Sequence, residues 1–474
     1  MPASPRRWTA LGIVLTAAFM DNVDATILSV ALPRLQRDLG TSPATAQWSL
    51  AGYSLAFALL LITGGRLGDI HGRRRVFLAG VAGFTLASVV CGTAMTPGVL
   101  VAGRLAQGAL AALMVAQVMS VIVAMFGEAE RPKAFALLGA VLSAGSVSGP
   151  LLGGLLTEFD LLGLGWRAIF LINVPVGVVT LWLAARVMPE TRSARPLRLD
   201  LAGVALVSLA TSGVMYPLVQ GREAGWPAWT FAVLAGAVLV VPCLAVQQRR
   251  RDRLDGAALV PPALFARRSF TAGVVIVLLV FAGVAAFFLV LTYHLQSGLG
   301  WEPIRVALVT LAWPVGITAT TRFALRHLGR ALVGVGMGVM AAGTILMLAC
   351  VSTWGADVPW PPVVAAELVL GLGMGLCVPI LATVALGEVP ADDAGAGSGV
   401  VNTAIQLGTA LGVAGVGAVF FSLAAAAGFV PATAGTLWCV AAVFGLAALL
   451  SPLLPRTRTR TRTRAREPEA GARP

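Results

Sequence analysis

The sequence predicts an all-helical membrane protein with fourteen transmembrane helices. Hydrophobic residues make up 58% of the chain and charged residues only 12%, whereas a soluble domain carries about 25% charged residues. Apolar runs of about 20 residues, enough to cross a hydrocarbon core of about 30 Å, follow one another almost from end to end. Each run must be helical, because an extended segment in lipid would leave its backbone N–H and C=O groups without partners.

The fourteen runs form two groups of six helices with a pair between them. The first six lie near 9–32, 46–67, 76–95, 99–125, 134–157 and 167–187. The pair lies near 200–219 and 228–247. The last six lie near 270–293, 303–322, 331–351, 361–386, 396–421 and 433–454. This pattern predicts an N-terminal six-helix bundle (1–190), two extra helices with a linker (191–268), a C-terminal six-helix bundle (269–455) and a basic disordered tail (456–474). The duplication is inferred from hydropathy, since strong sequence identity between the halves is not evident.

The orientation of the helices follows from the basic residues, which are retained in cytoplasmic loops. With the N-terminus inside, 28 of the 34 basic residues fall in cytoplasmic segments and five in external ones. Both termini are therefore predicted to be cytoplasmic. The first apolar run contains Asp21 and Asp24 and lacks a small-residue cleavage site, so we interpret it as a spanning helix and not as a signal peptide.

Composition also argues against several classes of function. The net charge of +13 resides in short connectors, which argues against nucleic acid binding. The five cysteines and three histidines show no metal-ligand spacing, and we expect no metal site and no cofactor. No Gly-x-x-x-x-Gly-Lys-Ser/Thr run is present, so an ATP-driven pump is unsupported. No cluster of catalytic residue types is visible, and we do not expect an enzyme. The alternating arginines and threonines of 456–464 predict a solvated tail or one that binds anionic lipid.

Four ionisable residues within predicted helices are candidates for function, because a charge inside a membrane costs several kcal/mol unless it is paired or hydrated. Asp21 and Asp24 are three residues apart and so share one face of helix 1. Counting from the outer ends of their helices, Asp24 lies about 13 Å deep and Arg104 about 7 Å deep, a difference that a flexible arginine can bridge. Glu367 lies about two turns into helix 12. The alternatives are a structural ion pair for Asp24 and Arg104, and outward snorkelling for Glu367.

The connector between helices 2 and 3 has the most specific local pattern. It combines a tight glycine turn with opposite charges that could be made or broken as two bundles rock. This connector resembles the signature loop of the major facilitator superfamily at five positions: Gly65, Asp69, Gly72, Arg73 and Arg74.

Other segments resemble further motifs of that family in the expected order. Helix 4 carries Arg104, Gln107 and Gly108, similar to the motif associated with proton transfer. Helix 1 (Asp24 to Pro33) and helix 6 (Trp166 to Pro175) resemble the fourteen-helix drug:proton antiporter branch. Helix 5 resembles the glycine motif of the antiporters, which permits close helix contact and a bend at its proline. Its residues are Gly145, Gly149, Pro150, Gly153 and Gly154.

The C-terminal half departs from the family pattern. Its loop at 322–330 lacks the acidic residue of a second signature loop, so we do not expect a symmetrical charge latch there. Asn402 and Gln406 on helix 13 are polar groups that either face a cavity or hydrogen-bond a neighbouring helix.

The resemblance implies a proton-coupled secondary transporter that exports small apolar or cationic compounds by alternating access. Asp24, with Asp21, would bind the proton or a cationic substrate, while Arg104 and Gln107 would couple it. Asp69 and the arginines of its loop would latch the inward-closed state. A proton-coupled uptake symporter of the same fold is the alternative. The expected partners are protons, a small-molecule substrate and the lipid bilayer. The expected setting is the bacterial inner membrane, with the protein a monomer. The substrate itself and the role of helices 7 and 8 are not evident from the sequence.

Overall fold

The computed structural model describes residues 7–127, 130–160, 163–192, 199–221, 223–255, 258, 262–326, 330–386, 389 and 394–454. Within these residues, fourteen helices are long and apolar enough to span a membrane. Helices 1 to 7 are Arg7–Asp38, Pro43–His71, Arg73–Gly92, Pro97–Ile122, Leu137–Glu158, Gly165–Val187 and Leu201–Gln220. Helices 8 to 14 are Ala228–Leu254, Arg268–Gly298, Pro303–Thr321, Ala331–Asp357, Trp360–Leu381, Gly399–Ala427 and Phe429–Leu453. The predicted number and order of helices are confirmed, and the predicted tail lies outside the described residues.

Local sequence sets where the helices begin. Ser42 and Thr96 accept hydrogen bonds from the backbone N–H groups of Thr45 and Val99, three residues on. A proline follows each cap, where its missing N–H removes no helical hydrogen bond. Helices 2 and 4 therefore start from the same sequence device, a hydroxyl cap followed by proline.

The helices pack as two bundles with the extra pair at one side. In the N-terminal bundle, helix 4 packs between helices 2 and 3, and helix 1 packs against helices 5 and 6. In the C-terminal bundle, helix 12 packs against helices 10 and 11, while helix 9 contacts helices 13 and 14. Helices 7 and 8 pair with each other, and helix 7 also contacts helix 2.

Several helix boundaries differ from the predictions. Helix 1 continues to Asp38 with Pro33 in its interior, and Arg34 fastens this extension by donating to the Thr157 carbonyl of helix 5 at 2.6 Å. Helix 5 runs through Pro150 as one element. Helix 10 is interrupted at Leu311, between Pro303–Thr310 and Ala312–Arg326.

Hydrogen bonds join the two halves near one end of the bundle. We call the end where helix 1 begins the terminal face and the opposite end the distal face. Near the distal face, Tyr293 of helix 9 donates to Gln36 of helix 1 at 2.6 Å. Three residues on, Gln296 donates to the Val30 carbonyl at 2.7 Å. These contacts close the halves against each other at the distal face.

Candidate functional site

Asp24 lies at the centre of a buried polar network inside the N-terminal bundle. Its Oδ2 accepts a hydrogen bond from Arg104 Nη1 at 2.6 Å. Its Oδ1 accepts from Gln107 Nε2 at 2.9 Å and from Asn173 Nδ2 at 2.8 Å. Ser88 accepts a further hydrogen bond from the Gln107 amide at 2.8 Å. Side chains of helices 4 and 6 thus bind one carboxylate of helix 1, and Ser88 of helix 3 accepts from the two amides that do so.

Arg104 contacts groups on helices 1 and 2 as well as on its own helix. Its Nε donates to the Ser49 carbonyl of helix 2 at 2.9 Å, and Nη1 also donates to Gln107 Oε1 at 2.6 Å. The guanidinium carbon lies 4.2 Å from the centre of the Tyr53 ring, within the range of a cation–π interaction. With 1% of the residue exposed, the charge is shielded from water and is balanced by Asp24.

Asp21 has a different environment from Asp24. Its Oδ1 accepts the Tyr53 hydroxyl hydrogen, and the residue is 8% exposed. Tyr53 therefore contacts both sites, with its hydroxyl on Asp21 and its ring on Arg104. Asp24 therefore belongs to the ion pair, whereas Asp21, one helical turn away, is linked to Arg104 only through Tyr53.

The hydrogen bonds limit what this site can do chemically. Three N–H donors already surround the Asp24 carboxylate, so a proton can reach it only if a donor moves. The Arg104–Asp24 pair resists separation, because removing one partner of a buried pair costs about 3–5 kcal/mol. A site of this kind can link protonation to movement of Arg104.

The glycines of helix 5 lie where neighbouring helices of the protein approach closely. A β-carbon added at Gly145 would lie 3.0 Å from Asn22 Cβ, and one at Gly153 would lie 2.6 Å from the Ile27 carbonyl oxygen. One at Gly149 would overlap Thr26. One at Gly154 would lie 2.8 Å from Ala307 of helix 10. The motif therefore packs helix 5 against helix 1 and, at its distal end, against the C-terminal half.

The signature loop lies at the terminal face. Arg73 pairs with Asp69 at 2.9 Å, and its backbone N–H donates to the Thr191 carbonyl at 2.9 Å. Gly72 has φ of 105°, a conformation that favours glycine. Arg66 donates to the Ala258 carbonyl in the linker. In this conformation the loop residues bond within the N-terminal half and to the linker, and a latch to the C-terminal bundle stays a prediction.

The remaining predicted site residues lie elsewhere. Glu367 is buried in the C-terminal bundle with 0% of the residue exposed, so the snorkelling alternative is wrong. On helix 13, Thr403 contacts the Ala58 carbonyl of helix 2 at 3.5 Å, which places this stretch between the halves. The loop at 327–329 lies outside the described residues.

Sequence reasoning missed three members of the site. Asn173, Ser88 and Tyr53 were not predicted to meet Asp24 and Asp21, although each is a polar side chain within an apolar run. That signal was available but weak, because Ser and Tyr in a helix more often bond locally or pack.

Comparison with known proteins agrees with the geometry. The sequence profile described as Major Facilitator Superfamily matches residues 14–413. A probable actinorhodin transporter of Streptomyces coelicolor is 42% identical over 427 residues, covering 89% of this chain and 74% of that protein. A puromycin resistance protein of Streptomyces alboniger is 36% identical, covering 86% of this chain and 81% of that protein. A multidrug efflux pump of Mycolicibacterium smegmatis is 31% identical, covering 88% and 81%.

Solved structures share the fold. A POT family transporter in complex with 5-aminolevulinic acid superposes with a TM-score of 0.67, covering 94% of this chain and 96% of that one. The two sequences are 14% identical, so this likeness concerns the fold alone.

Proposed function

The chain belongs to the Major Facilitator Superfamily, and on this premise we propose that it exports antibiotic-sized small molecules in exchange for protons. Relatives that it matches over most of its length are described as transporters of actinorhodin, as puromycin resistance proteins and as multidrug efflux pumps. The observation that carries proton coupling is the buried Arg104–Asp24 pair with Asp21 linked to it through Tyr53.

The proposed orientation has the terminal face in the cytoplasm of a bacterial cell membrane. The basic connectors support it, since the loops at the terminal face carry most of the arginines. Closure at the distal face then corresponds to a transporter sealed from the outside. From this state, a compound would enter from the cytoplasm or the inner leaflet.

The proposed exchange takes place around Arg104. A proton arriving at Asp21 weakens the Tyr53 contact that orients the guanidinium. Arg104 can then shift away from Asp24, and the vacated carboxylate can bind the proton or a cationic compound. Because Arg104 pairs with Asp24 and reaches Asp21 only through Tyr53, the two carboxylates do not need the same proton state, and that difference drives the cycle.

Glycine packing supports alternating access. Helix 5 touches helix 1 through Gly149 and helix 10 through Gly154, so a shift of helix 1 bears directly on the distal seal. Small residues allow helices to slide at close range without side-chain obstruction.

The first test uses everted membrane vesicles with an acidified interior and an interior-pH dye. Wild type, Asp24→Asn and Asp21→Asn are compared against a panel of antibiotics and lipophilic cations. We expect some compounds to discharge the gradient with wild type and not with either variant. Vesicles without the protein control for compounds that carry protons by themselves.

Two outcomes would overturn the proposal. If both variants discharge the gradient as wild type does, the carboxylates do not couple protons. If active compounds deepen the acidification or leave it unchanged while being transported, the chain is a symporter or a uniporter.

A further inference from the structure

The two bundles share a short sequence match that hydropathy alone did not reveal. Helix 4 reads Val-Ala-Gly-Arg-Leu-Ala-Gln-Gly over 101–108, and helix 12 reads Val-Ala-Ala-Glu-Leu-Val-Leu-Gly over 364–371. Val, Ala, Leu and Gly recur at the same places, and Glu367 takes the place of Arg104. Each charged residue lies seven positions after the first residue of its helix, Pro97 or Trp360.

The packing of the two segments confirms that they are equivalent. A β-carbon added at Gly108 would overlap the Tyr53 carbonyl of helix 2, and one at Gly371 would overlap the Trp313 carbonyl of helix 10. Transporters are commonly built from such internal repeats. Trp313 is thus the counterpart of Tyr53, the residue that stacks on Arg104. Where the N-terminal bundle buries a cation, the C-terminal bundle buries an acid.

Among the residues that the structure describes, no cation pairs with Glu367 as Arg104 pairs with Asp24. Its Oε1 lies 3.4 Å from the Thr310 hydroxyl oxygen, and its Oε2 is buried without a hydrogen-bond partner among the described residues. The helices that pack against helix 12 carry their described titratable side chains toward their ends: Arg268, Tyr293, His294, Arg305, Cys350 and Asp357. An ionised carboxylate at this place would lack compensation, at a cost of several kcal/mol.

The described polar contact of Glu367 is a weak one. The Thr310 hydroxyl has a single hydrogen, which it can donate either to the Val306 carbonyl at 2.9 Å or to Glu367 Oε1 at 3.4 Å. One long, shared hydrogen bond replaces little of the water that an ionised carboxylate loses on burial, so this contact compensates a charge on Glu367 poorly.

Helix 10, which carries Thr310 next to Glu367, has a break in its backbone hydrogen bonding. Helix 10 is interrupted at Leu311, directly after Thr310. Pro314 has no N–H to offer the Thr310 carbonyl, so the usual helical hydrogen bond is missing there. Interrupted helices accompany ion sites in transporters. A small movement at this break would change the surroundings of Glu367 without unfolding the bundle.

Resting on the proposed function, we propose that Glu367 is a second proton-binding carboxyl group of the transporter, inside the C-terminal bundle at the position equivalent to Arg104. A drug-sized cation could not reach it, because it is enclosed between helices 10 and 12 with no exposed surface. A proton could. The N-terminal site and Glu367 would then load and release protons in each half of the molecule.

Infrared difference spectroscopy of the purified protein in lipid tests this proposal without a transported compound. Spectra are recorded through a pH titration in the carbonyl-stretch region of protonated carboxylic acids. The variants are Glu367→Gln, Glu367→Asp and Thr310→Val. Glu302→Gln is the matched control, since Glu302 is an exposed acid at the start of helix 10.

We expect a band in wild type and Glu302→Gln that is lost in Glu367→Gln and disappears at alkaline pH. It should shift in Thr310→Val, which removes the hydroxyl group, and in Glu367→Asp, which keeps an acid. The proposal is overturned if Glu367→Gln retains every band, or if the band assigned to Glu367 is constant across the titration, as for a purely structural acid. Neither result depends on the vesicle assay, so failure here leaves proton exchange at Asp24 and Asp21 standing.

Discussion

Arg104 reaches across from helix 4 to place its Nη1 2.6 Å from Asp24 Oδ2 of helix 1, with both side chains shut off from solvent. A pair at this depth adds little net stability to the fold, since the desolvation of two charges offsets much of their attraction. Either charge left without the other would destabilise the fold. Any event that neutralises or withdraws one partner therefore changes the other.

Removing Arg104 alone should destabilise the protein more than removing both charges. We expect Arg104→Met to cost about 3–5 kcal/mol of unfolding free energy, because it leaves Asp24 buried without its cation. Adding Asp24→Asn should restore most of the thermal stability in detergent, but not transport. Arg75→Met is the control, since Arg75 is 71% exposed in its pair with Glu190 and exposed pairs contribute about 0–1 kcal/mol. Equal stability of the single and double variants would contradict the account.

Tyr53→Phe should separate coupling from folding. The substitution keeps the ring over Arg104 and removes the hydroxyl that donates to Asp21. A hydrogen bond to a charged group is worth about 1.5–3 kcal/mol, so we expect the free energy of unfolding to fall by about that amount. Transport in vesicles, compared at equal amounts of folded protein, should fall about tenfold or more. Tyr216→Phe provides the control, because Tyr216 is 49% exposed on helix 7. Undiminished transport by Tyr53→Phe would show that the tyrosine does not link the two sites.

Gly149→Ala should block transport although it adds a single methyl group. Its β-carbon would overlap Thr26 and lie 3.0 Å from the Val23 carbonyl oxygen of helix 1, and such overpacking costs about 1–3 kcal/mol. Gly139→Ala, on the same helix, meets nothing within 4 Å and should transport as wild type does. Vesicle transport at equal expression distinguishes them. If the two variants behave alike, close contact between helices 1 and 5 is not required.

Much of this arrangement could be predicted from the sequence, and the parts that could not have a physical reason. Hydropathy gave the fourteen helices because every span must be apolar and helical. The depths of Asp24 and Arg104 below the outer ends of helices 1 and 4 were enough to predict that the two side chains can meet. The end of helix 1 was predicted too early because Pro33 costs about 3 kcal/mol in an isolated helix, whereas packing on helix 5 carries the chain through it.

The partners from other helices were beyond such reasoning. Asn173, Ser88 and Tyr53 reach the site only because helices 2, 3 and 6 rotate particular faces inward, and periodicity does not fix that rotation. Glu367 was predicted as a candidate for its charge alone. Its equivalence to Arg104 became evident when the contacts of Gly108 and Gly371 gave the register of the two bundles.

Impermeant thiol labelling should establish the orientation of the chain. A cysteine at Asp357, which is exposed at the distal face, should react in intact cells. A cysteine at Arg75, exposed at the terminal face, should react only after the membrane is permeabilised. Both are made with the exposed Cys243 and Cys439 replaced by serine. The reverse pattern would place the termini outside and would overturn the proposed direction of export.

Tyr293→Phe should loosen the seal between the halves at the distal face. The variant loses the hydroxyl that donates to Gln36 at 2.6 Å, and one such hydrogen bond is worth about 1 kcal/mol. If the seal opens during transport, the population of the distal-open state should rise about fivefold, since 1.4 kcal/mol corresponds to a factor of ten. Spin labels at Asp38 on helix 1 and at Asp357, the last residue of helix 11, both exposed, report the separation of the halves there. Tyr216→Phe in the same labelled protein removes the hydroxyl of a tyrosine that is 49% exposed and should leave the distance distribution as it was. A distribution unchanged by Tyr293→Phe would mean that the Tyr293–Gln36 contact does not restrain opening.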